Sequence, residues 1–300
     1  MQRDQGDQRC HHERLTFEVK SMSEEKQWPL AFVHLMKTGG QTLRAVLRKN
    51  FGASHCDTFL REDSVPRDWK WMKVCYPRMK SICGHSVVPF DEGFRSFFPN
   101  ARFHTILRDP IKRAISHYQF CTESGDVLPP FPEWMRENEN YLARRISGES
   151  SAAKAIDMLE ERVGFVGFVE HYNESLLMWR KWAGLPGFDL GYRIENKARS
   201  NTLKSEIESN DQYTELLEEY HVEDRKLFDY ARNVIFQRQK DEYGAELALD
   251  CDEFEKVRKD APDLRRVLTE YSGRLKRNCI YRVGIRKVGK KPKVSGFDPA

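Results

Sequence analysis

The stretch "AFVHLMKTGGQTLRAVLRKNFG" occupies residues 31–52. An apolar run ends on Lys37 and Thr38, Gly39 and Gly40 follow, and an amphipathic segment with Leu43 and Leu47 on one face begins at once. The run predicts a short buried strand, and the spacing of the leucines predicts a helix over residues 41–49. Glycines between a strand and a helix let backbone N–H groups turn towards an anion, and the helix N-terminus adds partial positive charge. Lys37 adds a full charge beside this nest, and Thr38 and Thr42 add hydroxyls. The stretch reads as a phosphate-binding turn, the alternative being an ordinary tight strand-to-helix turn. It is not a Walker A loop, because the lysine precedes the glycines.

Working outward, residues 30–35, 81–84, 102–107 and 163–170 read as strands, and residues 41–49, 110–120, 141–161 and 213–239 as helices. Strands alternating with helices imply a mostly parallel sheet covered on both faces, whose ligands sit at the carboxyl ends of the strands. Residues 61–80 and 121–136 read as irregular loops of the kind that carry substrate contacts. The domain layout expected is a lead-in over residues 1–26, an α/β domain over 27–243, and a helical extension with a basic tail over 244–300. Within that tail, residues 274–293 hold nine Lys or Arg and no acid. Such a run is an anion-binding segment or a solvated end.

Composition narrows the class. The 300 residues are 39% hydrophobic and 32% charged, with mean hydropathy −0.71, which excludes wholesale disorder and fits a charged-surfaced globular protein. No run approaches the roughly 18 apolar residues of a membrane span. No apolar signal core opens the chain, so a cytoplasmic location is expected, although a luminal protein trimmed of its targeting segment would read the same. The seven cysteines lack any C-x-x-C pair, which argues for reduced thiols and against a zinc knuckle. A net charge of +4 does not advertise nucleic-acid binding.

A second stretch, "RFHTILRDPIKRAISHYQF" (residues 102–120), repeats the grammar: a strand, Arg108 at its end, Asp109 as a helix cap, Pro110 in the first turn, and Ser116 inside the helix. Ser116 lies roughly 10 Å along the helix, so one anion bridges it and Arg108 only if the guanidinium folds over the helix.

Together the two stretches resemble the 5′-phosphosulfate loop and the R-D-P-x-x-R-x-x-S-x-Y 3′-phosphate motif of sulfotransferases that use 3′-phosphoadenosine 5′-phosphosulfate (PAPS). The "FVH-x-x-KTGG" form is most similar to the branch of the heparan sulfate 2-O- and 6-O-sulfotransferases and their bacterial relatives. Residues 163–179 and 223–231 resemble later segments of that branch, so the likeness covers about residues 28–235.

The resemblance implies a P-loop-like three-layer sandwich. It implies that Lys37, Thr38, Gly39, Gly40, Gln41 and Thr42 hold the 5′-phosphosulfate and that Arg108 and Ser116 grip the 3′-phosphate. Gln41 stands where many relatives carry Thr or Ser. Arg113 either joins the phosphate site or is a helix-surface charge. The product of the donor would be 3′,5′-ADP, and no metal is expected.

Sulfuryl transfer to an alcohol needs a base for the hydroxyl proton and a cation for the departing phosphate oxygen. Lys37 can supply the second. His85 follows "SICG" at a strand end and resembles the catalytic histidine of that branch, and its ordinary pKa near 6.5 suits a base near neutrality. His34 and His104 read as packed strand residues, His11 and His12 belong to the lead-in, His117 and His171 fall in or beside helices, and Asp91 and Glu92 are the fallback bases.

The expected activity is therefore in-line sulfuryl transfer from PAPS to an acceptor hydroxyl, a carbohydrate by preference. A small natural product or peptide hydroxyl is the alternative, and a P-loop kinase or a non-catalytic nucleotide or glycan binder stands further off. Aromatic residues in 69–78 and 131–134 either line an acceptor cleft or pack their own loops.

Overall fold

β1 (Leu30–Val33) is the middle strand of a five-stranded sheet in which every pairing is parallel. The computed structural model describes residues 29–58, 66–192 and 202–257. β2 (His55–Asp57), β3 (Ser81–Gly84), β4 (Arg102–Leu107) and β5 (Val163–Phe168) complete the sheet in the order β2-β3-β1-β4-β5. Leu30 lies opposite Ser81 on one side and Arg102 on the other. All four residues of β1 are buried, as a central parallel strand with helices on both faces demands.

The helices are α1 (Gly40–Phe51), α2 (Pro66–Cys75), α3 (Glu92–Phe97), α4 (Pro110–Glu123), α5 (Phe131–Glu137), α6 (Tyr141–Ser147) and α7 (Ala152–Arg162). After β5 come α8 (Tyr172–Trp182), α9 (Thr202–Glu208), α10 (Asp211–Tyr220), α11 (Val222–Tyr230), α12 (Phe236–Tyr243) and α13 (Leu247–Val257). This is the expected three-layer α/β sandwich. The chain leaves β1 towards β2 and β3 on one side and later builds β4 on the other, so the carboxyl end of β1 is a topological switch point, where such sheets bind ligands.

Local chemistry sets the boundaries. Asp109 caps α4 by accepting the Lys112 N–H at 2.9 Å, with Pro110 in the first turn, as the sequence predicts. The single helix expected over 141–161 is two, because Gly148 turns left-handed at φ 86° and closes α6. The long helix expected over 213–239 breaks at His221 and passes through a π-helical turn at Ala231–Ile235.

The two segments expected to be irregular each contain a helix, α2 and α5. Their aromatic rings are packed inside: Trp69 is fully buried against Phe94 and donates to Asp91 Oδ2 at 3.1 Å. Phe131 and Trp134 join Ala114, Ile115 and Leu217 in a smaller second core around α4. Their faces are not available to a sugar ring, and the loop-packing reading holds for these three residues.

α13 lies against α8, with Leu247 buried and Phe254 packed on the main core. The lead-in over 1–26, with Cys10, His11 and His12, lies outside the described residues. So do the basic tail and Cys279. The other five cysteines form no disulfide among the described residues. Among the described residues, no helix is long and apolar enough to cross a membrane.

Candidate active site

The turn between β1 and α1 is left-handed twice, at Lys37 (φ 62°) and Gly39 (φ 72°). For a lysine this conformation costs about 1 kcal/mol, so the fold maintains it against local preference. Its result is a row of donors. Among the described residues none of the N–H groups from Lys37 to Gln41 has a hydrogen-bond acceptor, while Thr42 N–H closes onto Gly39 O at 3.1 Å. Five consecutive unpaired amides at the start of a 12-residue helix form an anion nest.

Two cations flank the nest. Arg108, at the end of β4, donates from Nη1 to Lys37 O at 3.1 Å and so ties the second motif to the first. Lys37 Nζ lies 4.2 Å over the Phe120 ring of α4. Burial lowers the Lys37 pKa and the neighbouring Arg108 lowers it further; burial also lowers that of Arg108. Two partly desolvated cations that disfavour each other are stabilised by an anion placed between them.

The other residues named by the sequence fall unevenly. Thr38 is fully buried and its hydroxyl donates inward to Leu35 O at 3.0 Å, so it offers the nest an amide and not a hydroxyl. Thr42 is buried with its side chain against the Tyr172 phenol. Gln41 accepts from Arg44 Nη1 at 3.2 Å. Ser116 is half-buried on α4 with no hydrogen-bond partner among the described residues. Arg113 is not a surface charge: it is fully buried, its guanidinium lies 4.4 Å over the Tyr141 ring, and none of the three guanidinium nitrogens is hydrogen-bonded among the described residues.

Gly40 is required by close approach. A Cβ there would lie 2.1 Å from Cδ2 of His34. The His34 ring in turn stacks on His85, centroids 4.5 Å apart and planes 19° apart.

His85 stands at the end of β3, beside β1. Its Nδ1 is 2.8 Å from His34 O, and because a carbonyl can only accept, the proton of the neutral ring sits on Nδ1. Nε2 is therefore the lone-pair nitrogen, ready to take a proton. Arg145 Nη2 donates to the His85 carbonyl and pins its backbone. Burial pushes the His85 pKa down to about 4; the His34 carbonyl opposes this, and Arg145 and Arg44 add to it. The value near 6.5 expected from sequence does not hold in the folded protein, because the ring is desolvated among cations.

The other histidines separate cleanly. His104 is fully buried, stacked on Phe32 at 5.1 Å, with burial lowering its pKa to about 3. His117 packs edge-on against Trp134 at 5.2 Å, its Nδ1 lacks a hydrogen-bond partner among the described residues, and burial followed by Arg113, Lys37 and His85 lowers its pKa to about 3. Its coupling to Lys37 and His85 places it near the same site, which its position in the second motif did not reveal. His171 pairs with Glu174 at 3.0 Å. The fallback bases are engaged elsewhere: Asp91 caps α3 and accepts from Trp69, and Glu92 pairs with Arg95 and Arg162.

Sequence reasoning also missed Tyr141, whose hydroxyl accepts the Met36 N–H at 3.1 Å, and Tyr172, whose hydroxyl donates to Gly39 O at 3.2 Å. They come from 105 and 133 residues away, and no local pattern links them to the loop. Among the described residues no group of His, Cys, Asp or Glu side chains is arranged to hold a metal ion. In comparison with known proteins, no family model matches the chain and no curated protein matches it in sequence.

Proposed function

We propose that this chain is a sulfotransferase that takes a sulfuryl group from PAPS and delivers it to an acceptor hydroxyl. The observation that carries the reading is the row of five amides from Lys37 to Gln41, unpaired among the described residues, set beside a histidine whose lone-pair nitrogen is Nε2. The donor set suits a polyanion: amides, one ammonium, one guanidinium and the hydroxyl of Ser116, all hard hydrogen-bond donors. PAPS, when bound, supplies a sulfuryl group already activated by its bond to phosphate.

The amides and Lys37 would bind the phosphosulfate end, and Arg108 and Ser116 the 3′-phosphate. Lys37 then neutralises charge that grows on the departing phosphate oxygen. His85 Nε2 takes the proton of the acceptor hydroxyl as its oxygen attacks. Its lowered pKa keeps Nε2 unprotonated at neutral pH, and the stacked His34 ring holds its plane. The acceptor proposed is a carbohydrate hydroxyl, on the resemblance of the two motifs; a small natural product or peptide hydroxyl is the alternative, favoured by the burial of Trp69, Phe131 and Trp134.

The test is to incubate the protein with PAPS and a panel of sugars, phenols and aliphatic alcohols. Products heavier by one sulfonate are sought by mass spectrometry, with His85→Ala as control. A wild-type protein that binds PAPS and 3′,5′-ADP no better than ATP would overturn the proposal.

A further inference from the structure

The anion loop does not hold its own shape. Its backbone is left-handed at Lys37 and Gly39, and Gly39 caps α1 without a side-chain hydrogen bond. Among the described residues its internal bonds are Thr38 Oγ1 to Leu35 O and Thr42 N–H to Gly39 O. What fixes its two flanks comes from outside.

We propose that Tyr141 and Tyr172 are positioning residues that clamp this loop and so define which amides face the ligand. Tyr141, the first residue of α6, takes up the Met36 N–H. Tyr172, the first residue of α8, takes up the Gly39 carbonyl, with Thr42 and Leu43 also against its oxygen. The row of free donors therefore begins one residue after the first clamp, at Lys37, and runs across the second to Gln41.

Each ring is itself braced. Tyr141 is buried beneath the Arg113 guanidinium, so Arg113 acts on the loop through Tyr141. The Tyr172 ring stands edge-on to Tyr192 at 5.1 Å, and its Cε2 lies 3.2 Å from where a Cβ on Gly39 would sit. The first motif thus takes its shape from helices that start 105 and 133 residues further on. The inference rests on the sulfotransferase reading only for the identity of the anion.

Tyr141→Phe, Tyr172→Phe and the double variant remove the hydroxyls and keep the rings. Amide hydrogen exchange of the ligand-free protein, thermal unfolding, and calorimetric affinity for 3′,5′-ADP and for inorganic pyrophosphate are measured on each. Loss of one ordinary hydrogen bond should raise exchange about fivefold at the amides that the clamps hold, Met36 in Tyr141→Phe and Thr42 and Leu43 in Tyr172→Phe, and weaken anion binding by a similar factor. Protection of β1 and β4 and the melting temperature should stay as in the wild type. Unchanged loop exchange and affinity in the double variant would overturn the clamp. So would a rise in exchange shared by β1 and β4 with a lower melting temperature, which marks a general structural role. If the wild type binds pyrophosphate but not 3′,5′-ADP, and the loop still loosens as stated, the donor assignment falls and the clamp stands.

Discussion

Gly40→Ala is the sharpest perturbation of this site, because one methyl group meets the ring that supports the proposed base. The added Cβ would lie 2.1 Å from His34 Cδ2 and 2.4 Å from Nε2. Carbon contacts settle at roughly 3.5–4.0 Å, so the ring must retreat by about 1.5 Å. It has little room along its stack, with Phe32 at 5.5 Å on one side and His85 at 4.5 Å on the other. Overpacking of this kind costs about 1–3 kcal/mol, and the better helix propensity of alanine returns at most about 1 kcal/mol. A net loss of about 1–2 kcal/mol in urea unfolding is expected. Because a displacement near 1 Å at a reacting group costs about 10²-fold, turnover measured as 3′,5′-ADP release should fall by that order. Adding His34→Ala makes room for the methyl, so the double variant should regain stability without regaining turnover. A Gly40→Ala protein as stable and as active as the wild type would refute the packing described here.

Four further outcomes are expected. His85→Ala should leave 3′,5′-ADP affinity within about twofold of the wild type while lowering kcat by about 10²- to 10⁴-fold; full turnover in this variant would mean another base. In the wild type the acid limb of kcat/KM should fall near pH 4 and not near 6.5, and a limb near 6.5 would show that the His85 ring is solvated. Arg108→Ala should weaken PAPS binding by about 2–3 kcal/mol and adenosine 5′-phosphosulfate binding by distinctly less, the smaller loss reflecting its tie to Lys37 O, and equal losses by calorimetry would remove the 3′-phosphate from Arg108. His34, His85, His104, His117 and His221 all have pKa values lowered by burial: well below the ordinary value in His34, to about 4 in His85 and His221, and to about 3 in His104 and His117. The unfolded chain thus binds more protons below about pH 6.5, so stability is full above that value and declines as pH falls towards 4; a melting temperature flat from pH 7 to 5 would contradict this burial.

The elements legible in the sequence were those whose pattern is local. β1, β3, β4 and the start of β5 announce themselves as apolar runs bounded by turns, and α4 by its Asp109-Pro110 start. β2 is three residues, His55-Cys56-Asp57, with no alternation to read; its membership of the sheet comes from pairing with β3. α2 and α5 were hidden by prolines at their starts and by aromatic residues that suggested binding loops. Within the site, the loop, Arg108 and His85 carry sequence signals because each sits at a strand end. Tyr141, Tyr172 and the His34 platform carry none that is local, since their roles arise from contacts between elements far apart in the chain or from the ring's packing on Gly40. The His85 pKa was missed for the same reason: desolvation belongs to the folded environment and not to the residue type.

The place of β1 in the sheet has a bearing on how the protein is assembled. Among the described residues β2 pairs with β3 and β4 pairs with β5, and these two halves are joined in the sheet only through β1, the first of its five strands in chain order. Neither half closes the sheet alone, and the loop that follows β1 draws Arg108 from one half and His85 from the other. A nascent chain carries the apolar residues 30–33 unpaired until residues 81–84 and 102–107 have left the ribosome, a long interval during which chaperone cover matters. The loop therefore gains both Arg108 and His85 only after β3 and β4 have each paired with β1.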